Sequence, residues 1–200
     1  TITSQLVAFN LTGVAPFILF VGAVFVMFGK KPMLKKVGEV LLGFGALFMG
    51  ISLMKDAMAD LKNYQAVMDA LGSMDNPIVG ILFGTAITVV VQSSSVTVSI
   101  LLLMASQGLI DLPVCFYVIL GCNIGSCTPA VLASLNTKKD AKCAAFIHVM
   151  FNVLGMGIIG ILLAFGMKYF EAFILRVSGA DVGRCVANAD TFFKIFQTII

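Results

Sequence analysis

The sequence predicts an all-α integral membrane protein, a multi-pass helical bundle with a re-entrant helical hairpin and a broken helix. Three observations predict it. Hydrophobic residues make up 60% of the 200 residues, charged residues only 12%, and the mean hydropathy is +1.05, whereas a soluble domain carries roughly 25% charged residues. The apolar stretches are continuous, which excludes the alternating strands of an outer-membrane barrel. Finally, the stretch from Pro77 to Leu135 contains no Lys, Arg, Glu or His, yet it holds the polar run Gln92-Ser93-Ser94-Ser95. A bilayer penalises each unsatisfied polar group by several kcal/mol, so this run belongs where a ligand or another segment satisfies it.

A spanning helix needs about 20 apolar residues. Leu11 to Phe28 is the first candidate and leads into a basic loop with Lys30, Lys31, Lys35 and Lys36. Val37 to Met54 is the second, and Gly38, Gly43, Gly45 and Gly50 suit it to close helix packing. Lys55 to Asn76 is amphipathic, with Asp56, Asp60, Asp69 and Asp75 set against Lys55 and Lys62. It reads as an interfacial helix ended by Asn76-Pro77. Ile78 to Gln107 follows, split near Gln92. Leu112 to Leu135 is interrupted at Gly121-Cys122-Asn123-Ile124-Gly125, and Cys143 to Phe165 is the last long segment. Beyond Lys168 the pattern is mixed until Asn188 to Ile200 turns apolar again. No basic region precedes the first apolar stretch, so no signal peptide is expected. Both ends read as cut from a longer chain: Thr1-Ile2-Thr3-Ser4 leads straight into an apolar run, and Thr198-Ile199-Ile200 lies inside another.

Loop charges bear on topology. The basic loops at 30–36 and at 138–142 (Lys138, Lys139, Lys142) should share the cytoplasmic side. Three crossings between them would separate the loops, and two keep them together. One segment must therefore enter and leave on the same face, and Ile78 to Gln107 is the one with a polar break. Its tip, Gln92 to Ser95, should then face protein or a water-filled cavity.

In such a hairpin Val96-Thr97-Val98-Ser99 opens a helix. Its first amide N–H groups lack intrahelical partners and carry the positive end of the macrodipole. Serine hydroxyls there donate to anion oxygens or coordinate Na⁺, and the Gln92 carbonyl is a hard donor for the same small cation. The second break brings Asn123, Ser126 and freed carbonyls to the same depth, an arrangement found in secondary transporters. The region supplies no Arg or Lys to offset an oxyanion's charge. Neutral donors and co-bound cations must do so, which makes cation coupling the physical expectation.

Other residues read as structural. Thr85, Thr88 and Ser134 are ordinary hydroxyl glue between membrane helices. Cys115, Cys122, Cys127, Cys143 and Cys185 lack metal-ligand spacing and read as small buried side chains, and the scattered methionines read as packing. His148, with Asn152 one turn on, is either a proton relay or a hydrogen-bonded core histidine. Glu39 lies near a helix start, and Asp111, before Pro113, reads as a helix cap. The net charge of +3 sits in loops and speaks for no nucleic-acid partner. No Ser-His-Asp set, paired carboxylates or phosphate loop appears. Neither an enzyme nor a cofactor is expected, apart from Na⁺ as a coupling ion.

The motifs resemble a known family. Gly84-Thr85-Ala86-Ile87-Thr88-Val89-Val90-Val91-Gln92-Ser93-Ser94-Ser95-Val96-Thr97 resembles the QSSS hairpin of type II sodium–phosphate cotransporters. Leu120-Gly121-Cys122-Asn123-Ile124-Gly125-Ser126 is similar to that family's G-A-N-I-G-T element, and Ala145 to Asn152 to its following A-H-x-x-F-N helix. Thr1 to Phe9 resembles the tail after G-A-N-I-G-T in the family's first repeat. Val186 to Phe193 weakly resembles a second A-N-A-H-T-x-F-N stretch, with Asp190 at the His position.

The resemblance implies two inverted repeats, with a site where their hairpins meet, and this chain as the second repeat plus flanks. Residues 1–36 would be the tail of a preceding repeat with a linking helix, 37–165 the QSSS repeat, and 166–200 an interfacial segment and the start of a further membrane helix. It implies sodium-coupled symport of inorganic phosphate by alternating access in the plasma (inner) membrane, with a missing first repeat or a second copy completing the site. Carried over by motif, Ser93, Ser94 and Ser95 would hold phosphate, and Gln92, Ser95, Asn123, Ser126 and Thr128 would coordinate sodium. Cys127 and Pro129 stand where the family usually has hydroxyl residues, with Thr128 a position early, so cation number and identity stay open. A phosphate-sensing or scaffold module and an uncoupled anion pathway are the alternatives.

Overall fold

The computed structural model describes residues 2–8, 11–61, 63–64, 68, 71–72, 76–179 and 181–199. It is helical, with no strand among the described residues. The helices are α1 (Ile2–Ala8), α2 (Ala15–Phe28), α3 (Pro32–Leu61), α4 (Pro77–Val91), α5 (Ser94–Ser106), α6 (Leu112–Gly125), α7 (Thr128–Ser134), α8 (Lys139–Ser178) and α9 (Val182–Ile199), with a short 3₁₀ turn at Leu11–Gly13. The five prolines of the sequence, Pro16, Pro32, Pro77, Pro113 and Pro129, each stand at the first or second position of a helix. There the missing N–H would have had no partner, and the fixed φ is already helical.

Helices α2 and α3 form an antiparallel pair held by small residues. A Cβ on Gly22 would lie 2.5 Å from the Leu42 nitrogen, one on Gly38 2.8 Å from Phe25 and Val26, and one on Gly45 2.6 Å from the Leu19 nitrogen. Such approaches let backbones meet, which drives association where lipid and side chains are equally apolar. Gly43 and Gly50, expected to serve the same end, have open space instead. The helix also continues through Leu61, so no boundary falls at Lys55; the rest of the interfacial helix expected to Asn76 lies largely outside the described residues.

Helix α6 is the centre of the core. Val114, Cys115, Phe116, Val118, Ile119, Leu120 and Cys122 are all buried, and α4, α5, α8 and α9 pack around it. The interruption expected at Gly121–Gly125 is absent. These residues are helical, and the irregularity falls at Ser126 and Cys127, which keep right-handed backbone angles between α6 and α7. The physical reason is packing. A Cβ on Gly121 would strike the Ile81 carbonyl and one on Gly84 the Val118 carbonyl, so these glycines seat α4 against α6 instead of ending a helix.

Two further expectations change. Residues 166–178 are the last third of α8, joined to the rest across a kink at Gly166 (φ −119°, ψ 15°). Beyond that kink Phe170 packs edge-on to Phe116 at 5.0 Å and stacks on Phe193 at 5.2 Å, tying this part to the core. Asp111 stands at the N-cap of α6, but its side chain makes no capping bond. Of the cysteines, four are buried as expected and Cys143 is exposed.

Helix α9 buries a largely apolar face, Cys185, Val186, Ala187, Ala189 and Phe193, with two polar residues in it. Asp190 and Gln197 are buried on that face, while Phe192, Ile195 and Ile199 are exposed.

Candidate ion and substrate site

Helix α4 begins with Asn76, whose side-chain oxygen accepts from the Ile78 N–H at 3.0 Å. It ends at Gln92, the one described non-glycine residue with positive φ (56°). The Gln92 N–H donates to the Thr88 carbonyl at 2.7 Å, closing the last turn. A left-handed residue at a helix C-terminus normally favours glycine, because a Cβ there crowds the backbone. Glutamine in that place is strain retained at a polar break, which points to a role for its side chain.

Ser93 is the N-cap of α5. Its backbone is extended, and its hydroxyl oxygen lies 3.5 Å from the Val96 N–H, a long capping contact. Thr97 and Ser99 donate their hydroxyl protons back to the carbonyls of Ser93 and Ser95, at 3.2 and 2.8 Å. Gln92 is exposed, and Ser93, Ser94 and Ser95 are half-buried. Ser95 opens on a cleft of about 330 Å³ lined with Thr3, Val7, Leu47, Ile51 and Ser99.

The second polar break lies at the same level. Glycine contacts fix α4 and α6 side by side and parallel: Gly121 on Ile81 and Thr85, Gly125 on Thr85 and Thr88. One turn beyond Thr88 is Gln92, and just beyond Gly125 are Ser126, Cys127 and Thr128. The parallel register thus brings the end of α4 beside the start of α7. Asn123 is buried and its side-chain amide donates to the Ile119 carbonyl at 3.1 Å; the side-chain Oδ1 is an acceptor. The Ser126 hydroxyl donates to the Asn123 carbonyl at 2.6 Å. That main-chain oxygen, expected to be freed by a break, is therefore engaged, while the Ser126 oxygen keeps its lone pairs.

The hydroxyls read as glue divide. Thr85 donates both to Ile81, in its own helix, and to Gly121 across the α4–α6 contact. Ser134 bonds only the Val131 carbonyl in its own turn. Thr88 is fully buried with the Cys122 thiol as its neighbour. His148 is exposed, so it is not a core histidine; it borders an alanine-lined cleft with Ala130, Ala133 and Ala144.

One cluster has no counterpart in the sequence reading. Asp190 is completely buried, accepts from Ser4 at 3.1 Å, and pairs with Lys194 at 2.8 Å. Gln5 donates to Asn188 and Thr191 beside it. The fold therefore supplies a lysine from α9 that Pro77–Leu135 lacks. Asp190 pairs with it. The available signal was an Asp and a Lys four residues apart in one helix.

Three helices, Pro32–Asp60, Leu112–Ser134 and Lys139–Ser178, are long and apolar enough to cross a membrane. With the inward polar cluster and the two adjacent polar breaks, they define an α-helical membrane protein. The chain belongs to the Na⁺/Pi-cotransporter family, whose profile matches residues 1–56 and 61–172. It is 34% identical over 160 residues to the uncharacterized protein YqeW of Bacillus subtilis, covering 80% of this chain and 52% of that protein. To the putative inorganic phosphate export protein YjbB of Escherichia coli K12 it is 24% identical over 157 residues, 78% of this chain and 29% of that one. To the sodium-dependent phosphate transport protein 2A of Rattus norvegicus it is 34% identical over 89 residues, 42% of this chain and 14% of that one. The chain thus spans about half the length of YqeW and less of the others. No solved structure matches.

Proposed function

We propose that this chain forms one half of a sodium-coupled inorganic phosphate transporter of the plasma membrane, working by alternating access. Ser93, Ser94, Ser95 and the first amides of α5 hold the phosphate; Gln92, Ser95, Asn123, Ser126 and Thr128 supply oxygens to sodium. The observation that carries the reading is the parallel register of α4 on α6, in which Gly125 packs on Thr85 and Thr88 one turn before Gln92. Extended by one turn, that register would set the hydroxyls and N–H groups at the start of α5 level with the oxygens around Ser126. A helix N-terminus favours an anion, and the neighbouring oxygens favour a small hard cation.

The lengths of α4 and α5 support a re-entrant path. At 15 and 13 residues and ~1.5 Å per residue, neither crosses the ~30 Å of hydrocarbon alone. A pair that enters and leaves on one face is compatible with the shared side of the two basic loops. The half-open serines leave room for a second, equivalent hairpin, supplied by another part of a longer protein or by a second copy.

The test is radiolabelled phosphate flux in proteoliposomes holding the full-length protein, with Na⁺ or K⁺ gradients in both directions. Saturable flux that needs sodium, and is lost in Ser94→Ala, supports the proposal. Sodium-independent flux makes the protein an uncoupled pathway, and binding without flux makes it a sensor. The two-way gradient decides direction, since the YjbB name denotes export.

A further inference from the structure

Two clefts join on one side of the bundle. The first, of about 330 Å³, lies between α1, α3 and α5 and is walled by Val7, Leu47, Ile51 and Val96, together with Gly50, where a Cβ would meet nothing. The second, of about 90 Å³, shares Val7 and Ile51 with it and continues past Leu102 and Leu103 to the start of α9. Together they make one groove, running along α5 from Ser95 to Ser106. At ~1.5 Å per residue that is roughly 16 Å, close to one leaflet of a ~30 Å hydrocarbon core. The end near Ser95 is largely apolar, whereas the other end is lined by both Lys55 and Asp181, with no ion pair between them. Lys55 stands roughly 35 Å along α3 from Pro32, which puts it at the membrane face opposite the basic loop. Its side chain is half-buried, so the stem follows the groove wall and the ammonium reaches the mouth. The Asp181 Oδ1 accepts from the Arg184 N–H at 3.2 Å, and the other carboxylate oxygen is a further acceptor.

We propose that this groove holds one phosphatidylethanolamine molecule, with an acyl chain between α3 and α5 and the head group at Lys55 and Asp181. The lipid's phosphodiester accepts from the Lys55 ammonium, and its ethanolamine ammonium donates to the Asp181 carboxylate; both are charge-assisted bonds. A zwitterion answers one fixed cation and one fixed anion at the same mouth. Phosphatidylglycerol offers no cation to the carboxylate, and the quaternary ammonium of phosphatidylcholine has no N–H to donate. Free phosphate would fill only the charged end and would meet Asp181 as a like charge. The chain end lies against Ser95 and Ser99, so the lipid covers the apolar side of the polar break. The site does not depend on which solute is transported.

The experiment is binding of radiolabelled phosphatidylethanolamine to the purified full-length protein in detergent. Unlabelled phosphatidylethanolamine, phosphatidylcholine, phosphatidylglycerol and inorganic phosphate serve as competitors. Phosphatidylethanolamine should displace the label at roughly tenfold lower concentration than either other lipid, the difference expected for one hydrogen bond to a charged group. Asp181→Asn keeps the oxygen that caps α9 and removes the charge, so phosphatidylglycerol should then compete as well as phosphatidylethanolamine. Gly50→Leu fills the apolar cleft away from both charges and should weaken binding of every lipid. Equal displacement by the three head groups overturns the proposal, as does an Asp181→Asn protein that keeps its preference or a Gly50→Leu protein that binds as before. Displacement by inorganic phosphate at the lipid's own concentration also overturns it, since the charged mouth then takes a free anion. No saturable binding at all means that something other than lipid fills the groove, and the proposal fails.

Discussion

Thr85 shares its hydroxyl proton between the Ile81 carbonyl of its own helix, 2.8 Å away, and the Gly121 carbonyl of the parallel helix α6, 3.1 Å away. With Gly84, Gly121 and Gly125 this contact sets the register of α4 on α6, and the register brings the Gln92 break beside Ser126. The site is thus placed by residues that would bind nothing themselves.

That seam should be the least tolerant part of the chain. Gly121→Ala forces a methyl group into the Ile81 carbonyl, and overpacking of this kind costs about 1–3 kcal/mol. Gly43→Ala and Gly50→Ala meet open space and should be neutral or stabilising by up to ~1 kcal/mol, since alanine is the better helix former. Melting temperatures in detergent would show the contrast. Equal losses at all three positions would contradict the close approach.

Thr85→Val should cost about 0.5–1 kcal/mol, the usual worth of one interhelical hydroxyl bond. Its effect on transport should be larger if register sets the site. Flux and melting temperature measured on the same variant separate the two.

Gln92 offers a sharper separation. Gln92→Gly relieves a side chain from left-handed backbone, which should stabilise the protein by about 1 kcal/mol, and it removes the amide proposed to bind sodium. A variant that melts higher and transports less supports a binding role. One that melts higher with sodium affinity unchanged removes Gln92 from the site.

Ser94→Ala removes a hydroxyl that bonds no other described side chain. Stability should stay within about 0.5 kcal/mol, while phosphate flux falls about tenfold or more, the loss expected for one hydrogen bond to a charged ligand. Loss of flux with equal loss of folded protein would make Ser94 structural.

Cys143 is exposed one turn into α8, after Lys138 and Lys139, while the other four cysteines are buried. A membrane-impermeant maleimide applied from the cytoplasmic face should label Cys143 alone, and Cys143→Ser should abolish labelling. Labelling from the opposite face would reverse the topology read from the basic loops.

The sequence by itself determined the helical membrane class, the helix starts near Pro77 and at Leu112 and the polar break, because these follow from local terms. Apolar run length sets the class, Pro77 and Pro113 fix the first turns of their helices, and Gln92-Ser93 cannot continue one apolar helix. It also carried the family motifs, and with them the residues proposed for the site. It misplaced the second break, because Gly121 and Gly125 read alike as helix breakers or as close-packing residues, and only the presence of α4 decides between them. The extent of α8 was hidden for a similar reason: Phe170 looks interfacial until Phe116 and Phe193 are seen beside it. Only the tertiary structure joined Ser4 to Asp190, from opposite ends of the chain. Such a contact depends on how distant helices pack, and no local pattern of hydropathy or charge encodes that.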